Sequence, residues 1–377
     1  MTCYNSGQII SSLHAKVQHL IEIYNSDVLR LGSRGNGKAV IDALNYAIKW
    51  TRSVKRSLEK GIHFSFEPKQ TVIANYRPFV KMWMYRDNGL NEMPNLTPKF
   101  FGHGEIENPA LVIMGDSSGK PFFVNAIDRI LDLNYVSPAS GGSQTFPLYH
   151  IGADGLRYDN ITDWGLKQFR QHYVQPPSRN PGTQASRLHA DGTSALPMTK
   201  EAIFHYCYAV LHDPVYREKY ALNLKREFPR IPFYADFWQW AVWGEALMAL
   251  HIGYESVEPC ALQRTDTPDA KAHAAGLAPK AMLKADKDAG RIVLDSETTL
   301  SGVPPEAWDY KLGNRCALDW VLDQYKEKKP KDPTIRAQFD TYRFADYKEK
   351  VIDLLARVTT VSVRTVAIVG AMKQAAR

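Results

Sequence analysis

The short stretch "GSRGNGKA" at residues 32–39 has the most suggestive chemistry in the sequence. It fits G-x-x-x-x-G-K, the loop whose backbone amides hold nucleotide phosphates, up to a final Ser or Thr that binds Mg²⁺. That final position is Ala39, and the stretch follows an amphipathic helical pattern instead of a buried strand. The sequence therefore argues against ATP binding. Arg34 and Lys38 at a helix N-terminus can still meet a phosphate, including one in a nucleic-acid backbone. The alternative is a flexible turn between two helices.

A second candidate is the triplet Glu67-Pro68-Lys69, which has the E-x-K form of a nuclease site but lacks a clear upstream acidic partner. A third is the pair His205 and His212, seven residues apart on a predicted helix. Their aliphatic and aromatic surroundings favour a core over a metal site. The sequence contains no G-x-S-x-G, H-E-x-x-H, paired-carboxylate or amino-methyltransferase signature. These patterns are typical of a binding module and not of an enzyme.

Charge gives the first indication of a partner. The 377 residues carry a net charge of +7, and residues 1–60 hold nine Lys or Arg against four Asp or Glu. This bias favours a polyanion partner, and the alternative is a basic protein without one.

The four cysteines are far apart, the N-terminus lacks a signal peptide, and no apolar run of about 18 residues is present. We therefore expect a cytoplasmic protein with reduced thiols, no metal and no membrane contact.

The elements that must position these residues begin with helical periodicity at 9–30 and from residue 39 to 60. From residue 62 the pattern alternates with period two and predicts two strands bent at Pro78. Further strands are predicted at 110–116, 120–127 and 144–151. The Pro-, Gly- and Ser-rich residues 176–198 predict a long exposed loop, which contains Arg179 and Arg187.

The second of the bent strands interleaves basic and aromatic residues. Lys81 would share a face with Trp83 and Tyr85, and Arg77 and Arg86 flank the strand. Such a face suits a sheet that contacts nucleic acid. The alternative is that the two aromatic side chains pack under a helix.

From residue 199 the pattern is mostly helical. Thr199, Asp213 and Asp236 are predicted N-caps of three successive helices. Residues 280–295 predict a β-hairpin with the turn "DKDAG", and further helices are predicted at 315–328, 333–342 and 345–373. A run of Val and Thr weakens the prediction of the last helix.

Several of these segments together resemble one family. They are "NYRPFVKMWMY", "TFPLYHI", "IFHYCYAVLHDPVYREKYALNLKREFPRIPF", "FWQWAVWGEALMALHIGYE", "PPEAWDYKLGNRCALDWVLDQY" and "TYRFADYKEKVIDLLARVTTVSVRTV". They lie between about residues 70 and 370 and are similar, in the same order, to the C-terminal specificity region of the Type ISP restriction–modification enzymes and their helicase–methylase relatives. The N-terminal "YNSGQIISSLHAKVQHLIEIYN" resembles the join between methyltransferase and recognition regions in those enzymes.

The resemblance implies recognition of a short asymmetric target in double-stranded DNA, positioned for an adenine-N6 methyltransferase. Nuclease, helicase and methyltransferase parts are absent from this sequence, and S-adenosylmethionine, ATP and Mg would belong to them. We expect an α+β fold with a mixed sheet region, packed helices and a C-terminal helical bundle. The expected division is a helical linker to a methyltransferase (1–60), a DNA recognition body (61–300) and the bundle (301–377).

The resembling segments identify the scaffold and not the DNA contacts. On charge and position we predict that DNA is contacted by Arg34, Lys38, Arg77, Lys81, Arg86, Arg179 and Arg187. The alternative function is a protein–protein docking module, or a remnant without DNA binding of its own. It predicts that the aromatic surface near Trp83 and the first helix bind protein.

Overall fold

The chain is an α+β protein, as predicted, in which small antiparallel sheets alternate with helices. The structure is a computed structural model, and it describes residues 6–7, 10–31, 48, 50–92, 95–102, 104–114, 121–136, 142–173, 197–327 and 342–377. Its α-helices are α1 (Ile10–Leu31), α2 (Arg52–Glu59), α3 (Thr97–Phe101), α4 (Asp163–Tyr173), α5 (Lys200–His212), α6 (Pro214–Lys219), α7 (Phe237–Ile252), α8 (Ala270–Ala274), α9 (Ala317–Gln324) and α10 (Lys348–Met372).

The strands form five separate sheets within the described residues. In chain order they are β1 (Ser6–Gly7), β2 (Thr71–Arg77), β3 (Val80–Tyr85), β4 (Ala110–Met114), β5 (Val124–Ile127), β6 (Ser143–Pro147), β7 (Tyr149–Ile151), β8 (Arg157–Asp159), β9 (Gln263–Asp266), β10 (Ala281–Asp286), β11 (Arg291–Asp295), β12 (Thr298–Ser301), β13 (Lys311–Leu312) and β14 (Arg315–Cys316). The sheet orders are β1-β3-β2, β5-β4-β6, β7-β8, β10-β11-β12-β9 and β13-β14.

Helix α1 covers one face of the β2–β3 hairpin. Its buried stripe recurs at helical spacing and includes Leu13, Val17, Ile21 and Tyr24. These side chains share a core with Tyr85 and with residues of α2. The Tyr24 hydroxyl donates to the carbonyl of Ile62 at 2.9 Å, which holds the segment before the hairpin against the helix.

The central strand β4 separates two cores because its side chains alternate. Val112 and Met114 belong to the core under the C-terminal elements, and Leu111 and Ile113 belong to the core under α5 and α7. All five residues of β4 are buried, as expected for a strand covered on both faces. Strands β4 and β5 lie within the strands predicted at 110–116 and 120–127, whereas the single strand predicted at 144–151 is wrong, because this range contains two strands, β6 and β7, that belong to different sheets.

Each predicted cap of the helical region is confirmed. Thr199 accepts a hydrogen bond from the amide of Ala202, Asp213 from that of Val215, and Asp236 from that of Gln239. Short side-chain acceptors satisfy amides that have no partner in the first turn of a helix. The local chemistry therefore fixes where α5, α6 and α7 begin.

Helix α10 begins at Lys348, after a 3₁₀ turn, and ends at Met372. Two of its hydroxyls are satisfied within the helix: Thr359 donates to Leu355 O at 2.8 Å and Ser362 to Val358 O at 2.7 Å. The Val and Thr run is thus compatible with a helix. The segment Phe344–Met372 is long and apolar enough to cross a membrane by length and composition alone. Its apolar stripe, including Val351, packs into the core.

The cores cross the predicted domain boundaries. One draws on residues from Ala74 to Val361, and another on residues from Leu111 to Met372. The division of the chain into three parts, with boundaries at residues 60 and 300, therefore remains a prediction from the sequence. The glycine-rich stretch at 32–39 and most of the predicted loop at 176–198 and helix at 333–342 lie outside the described residues.

Candidate nucleic-acid interface

The three predicted DNA-contacting cations that the structure describes lie in the β2–β3 hairpin or directly after it. As predicted, β2 ends at Arg77 before Pro78, and β3 begins at Val80. Phe79 closes the turn with φ of 59°, in the region that favours glycine, and only 2% of it is exposed. Its ring meets the Tyr254 ring edge-on at 5.4 Å. Burial of this ring offsets the strain of the turn.

The two faces of β3 differ as the alternation predicted. Met84 packs into the core below the hairpin, while Trp83 and Tyr85 pack against α1 and its neighbours. The interpretation in which these aromatic rings lie under a helix is confirmed. Trp83 is partly buried against the apolar stripe of α1, and the docking alternative, which places a protein partner on this surface, stays a prediction.

The Arg77 side chain contacts other residues of the protein. Its Nη1 donates to Asp132 Oδ1 at 2.8 Å, and its guanidinium lies 4.1 Å from the centre of the Tyr76 ring. The side chains are 16% and 2% exposed for Arg77 and Asp132 respectively. Asp132 also accepts from the Asn134 amide. The pair joins the end of β2 to the segment that follows β5.

Lys81 joins the hairpin to the end of α7. Its Nζ lies 3.0 Å from Glu255 Oε2 and 5.2 Å from the centre of the Tyr254 ring. Only 16% of the lysine side chain is exposed, whereas half of the glutamate side chain is. The ammonium thus has a carboxylate and a ring as partners at the rim of the hairpin.

Arg86 is the most enclosed of the three cations. It is 5% exposed, and its Nη1 donates to the carbonyl of Gly102. Its Nη2 is buried without a hydrogen-bond partner among the described residues. Burial lowers the pKa of the guanidinium, and the charge of Glu105 partly opposes that effect. Arg86 therefore anchors the turn after α3 to the end of β3.

The contacts described for Arg77, Lys81 and Arg86 are all made within the protein. DNA contacts by these three residues therefore remain predictions. The other four predicted contacts, Arg34, Lys38, Arg179 and Arg187, lie outside the described residues.

The candidate catalytic and metal residues do not converge. Lys69 Nζ lies 4.0 Å from Glu67 Oε2, and both side chains are exposed at the surface. His212 is buried, and its Nδ1 lies 2.9 Å from the carbonyl of Tyr208. Within the described ranges, no three His, Cys, Asp or Glu side chains come close enough to hold a metal ion.

A basic groove that the sequence analysis did not single out lies between the edge strand β10 and helix α9. It is open to solvent and has a volume of about 390 Å³. Its cations are Lys284, Lys287, Arg315 and Lys326. Its carboxylates are Asp319 and Asp323, so the described lining has a net charge of +2. The cations come from two separate segments of the chain, 284–287 and 315–326, and in the sequence only the basic stretches "KADKD" and "KEKKPKD" indicate them.

Ion pairs organise this groove but do not neutralise it. Lys287 Nζ lies 2.7 Å from Asp319 Oδ2, which raises the pKa of the lysine. Arg315 Nη1 lies 3.1 Å from Asp323 Oδ2, and Lys326 Nζ lies 3.9 Å from Asp323 Oδ1. In the part of the chain that the structure describes, Lys284 has no carboxylate within 4.0 Å.

Comparison with known proteins identifies the class to which this fold belongs. The family model of the Type ISP C-terminal specificity domain matches residues 6–354. The chain therefore belongs to the family of Type ISP C-terminal specificity domains. A comparison with curated protein sequences found no match.

Solved structures share the fold over nearly the whole chain. The cryo-EM structure of a DrdV–DNA complex matches with a TM-score of 0.85 and 44% identity, over 98% of this chain and 34% of that chain. A nuclease-deletion mutant of the Type ISP restriction–modification enzyme LlaGI, in complex with a DNA substrate mimic, matches with a TM-score of 0.74 and 24% identity, over 99% of this chain and 32% of that one.

The ATP-dependent Type ISP restriction–modification enzyme LlaBIII, bound to DNA, has the same fold at a TM-score of 0.74 and 21% identity, over 96% of this chain and 22% of that one. This chain thus spans about a third or less of the length of these three proteins.

Proposed function

We propose that this chain recognises a short target in double-stranded DNA on behalf of a Type ISP-like restriction–modification enzyme. The observation that carries the proposal is the match to DrdV, whose solved structure is a DNA complex, at 44% identity over 98% of this chain. Membership of the specificity-domain family supports the same function. The fold is common to all three DNA-bound relatives, which differ in sequence far more than in structure.

The chemistry of restriction and modification belongs, in this proposal, to other parts of the enzyme. An adenine-N6 methyltransferase with its S-adenosylmethionine would take the flipped adenine, and helicase and nuclease parts would use ATP and Mg. This chain would act without catalysis of its own. Its three described cysteines, Cys207, Cys260 and Cys316, are free thiols, which is consistent with a cytoplasmic protein.

Recognition divides into two kinds of contact. Lysine and arginine on phosphates set the register, and side chains at base edges in the major groove supply specificity. The seven cations predicted from the sequence remain proposed contacts of the first kind. Arg77, Lys81 and Arg86 would need to make them while retaining or exchanging their present partners.

Selection from a random duplex library tests the proposal. The purified full chain is incubated with the library at two salt concentrations, and bound duplexes are sequenced. We expect an enriched motif that persists at the higher salt, because base contacts release few counterions. Binding without a motif that collapses as salt rises would show that only a basic surface is at work, and would contradict target recognition.

A further inference from the structure

We propose that the groove between β10 and α9 binds the phosphate backbone of duplex DNA. The inference rests on the proposed function, and it adds a surface to it. Lys284 lies on the edge strand, Lys287 in the turn of its hairpin and Arg315 on β14, while Lys326 follows the end of α9. Two segments that are separate in the sequence, 284–287 and 315–326, therefore bring positive charge to one open groove.

The charge balance separates this groove from two other depressions on the described surface. The groove beside Tyr216 has a volume of about 300 Å³ and is lined by one cation, Arg230, and one carboxylate, Glu227. The smaller one beside Phe79, of about 110 Å³, has a net charge of +1. The groove at β10 has a net charge of +2 and the largest volume of the three. A polyanion is attracted most strongly to that surface.

Three of the four groove cations are held in place but keep their charged groups accessible. Lys287 lies 5.7 Å from the centre of the Trp308 ring, and Arg315 lies 5.2 Å from that of Trp320. The side chains of Lys287, Arg315 and Lys326 are 45%, 43% and 45% exposed. Rings and carboxylates thus restrict the side chains of these three cations while leaving nearly half of each side chain exposed. A phosphate entering the groove meets positioned donors, which lowers the entropy lost on binding.

The size of the expected effect follows from counterion release. Each phosphate contact contributes about 0.9 to the slope of log affinity against log salt concentration. Removal of two contacts should lower the slope by about 1.8. Between 50 and 200 mM salt the wild-type chain would then lose about 12-fold more affinity than the variant. Because phosphates carry no sequence information, the order of preference among duplexes should stay unchanged.

The test uses the full chain with the double substitution Lys284→Ala and Lys326→Ala. Lys287 and Arg315 are kept, because their loss would leave Asp319 and Asp323 without these partners. The matched control replaces two other exposed lysines, Lys167 on α4 and Lys225 after α6, by Ala. Dissociation constants for a selected duplex and a scrambled duplex are measured at several salt concentrations. Thermal melting checks that each variant folds.

Four outcomes separate the groove from the proposed function. A wild type that prefers its target and a lower slope in the groove variant alone support both. Preference in the wild type with equal slopes in all three proteins overturns the groove and leaves target recognition intact. Binding without preference, with a lower slope in the groove variant alone, supports the groove and overturns target recognition. Failure of the wild type to bind any duplex overturns both.

Discussion

Arg377 donates two hydrogen bonds to the buried carboxylate of Asp213, 164 residues earlier in the chain, at 2.9 and 2.7 Å. Asp213 is fully buried and also accepts from the Tyr234 hydroxyl at 2.8 Å. Burial alone would raise the pKa of this carboxyl, but hydrogen bonds from Arg377 and Tyr234 outweigh it, and the pKa lies below its ordinary value. The carboxylate therefore ties the α5–α6 junction to the residues after α10.

Loss of the contact between Arg377 and Asp213 should lower the stability of the protein measurably. Arg377→Ala is expected to lower the free energy of unfolding by about 2–3 kcal/mol at pH 7, because it leaves a buried carboxylate with fewer partners. The figure is below that of a fully buried pair because the arginine is 24% exposed. The difference between wild type and variant should shrink as the pH falls below about 4, where the carboxyl becomes protonated in the unfolded chain. Urea unfolding at pH 7 and pH 3.5 measures both effects.

Arg377→Lys is the matched control for this prediction. It retains the positive charge but cannot make the two-point contact, so we expect an intermediate stability. Equal stability of Arg377→Ala and the wild type at pH 7 would show that the contact contributes nothing.

The crossing of α5 and α7 depends on Gly244. A Cβ at this position would lie 1.8 Å from the carbonyl oxygen of His205, which belongs to the backbone and cannot move aside by itself. Gly244→Ala is expected to destabilise the protein by about 3 kcal/mol or more, because the two helices must separate. Thermal unfolding followed by circular dichroism measures the change.

Gly370 supplies the control for that substitution. It lies in α10, is exposed, and a Cβ there would meet nothing within 4 Å. Gly370→Ala should stabilise the protein by about 0.5–1 kcal/mol, since alanine loses less backbone entropy in a helix. Destabilisation by both substitutions to a similar extent would contradict the steric explanation.

His251 should make stability depend on pH between about 5 and 7. Its ring lies between the Tyr208 hydroxyl and the Thr365 hydroxyl, and burial lowers its pKa to about 3. The unfolded chain binds a proton below about pH 6.5 while the folded chain does not, so stability falls as the pH falls. The wild type should lose about 2 kcal/mol more than His251→Gln between pH 7 and pH 5. Urea titrations at both values measure this.

The neighbouring His212 makes stability depend on pH in the same direction in the wild type and in His251→Gln. Its ring lies 5.4 Å from that of His251, and burial also lowers its pKa. The difference between the two proteins therefore reports the proton that binds to His251. Parallel stability curves for wild type and His251→Gln over this range would show that His251 titrates alike in the folded and unfolded chain.

Arg77→Ala distinguishes an anchoring role from a DNA contact. The ion pair with buried Asp132 predicts a loss of about 3 kcal/mol of stability and an unchanged salt slope for the DNA binding of the folded fraction. A phosphate contact predicts a slope lowered by about 0.9. Unfolding and duplex binding are measured on the same preparation. A lowered slope with unchanged stability would establish the contact and contradict the anchoring role.

Features fixed by neighbouring residues were predictable from the sequence. The alternation of β3 placed Trp83 and Tyr85 on the face opposite Met84, because successive strand side chains point to opposite sides. The caps at Thr199, Asp213 and Asp236 followed from acceptors that bond amides two or three residues ahead. Such features depend on interactions within a few residues.

Contacts between distant residues could not be predicted in this way. Arg77 meets Asp132 across 55 residues, and Arg377 meets Asp213 across 164. The sequence pattern near each residue is the same whether its cation faces solvent or an internal carboxylate. The groove at β10 was missed for the same reason, since Lys284 and Arg315 become neighbours only when the sheet and α9 pack together.

The ratio of affinities for a selected duplex and a scrambled duplex of the same composition tests target recognition most directly. The full chain is measured with both duplexes at 50 and 200 mM salt. Recognition predicts a ratio of about 10³ or more that persists at the higher salt, because specific and non-specific binding differ by at least that factor in proteins of this kind. A ratio near one at both salt concentrations would contradict it.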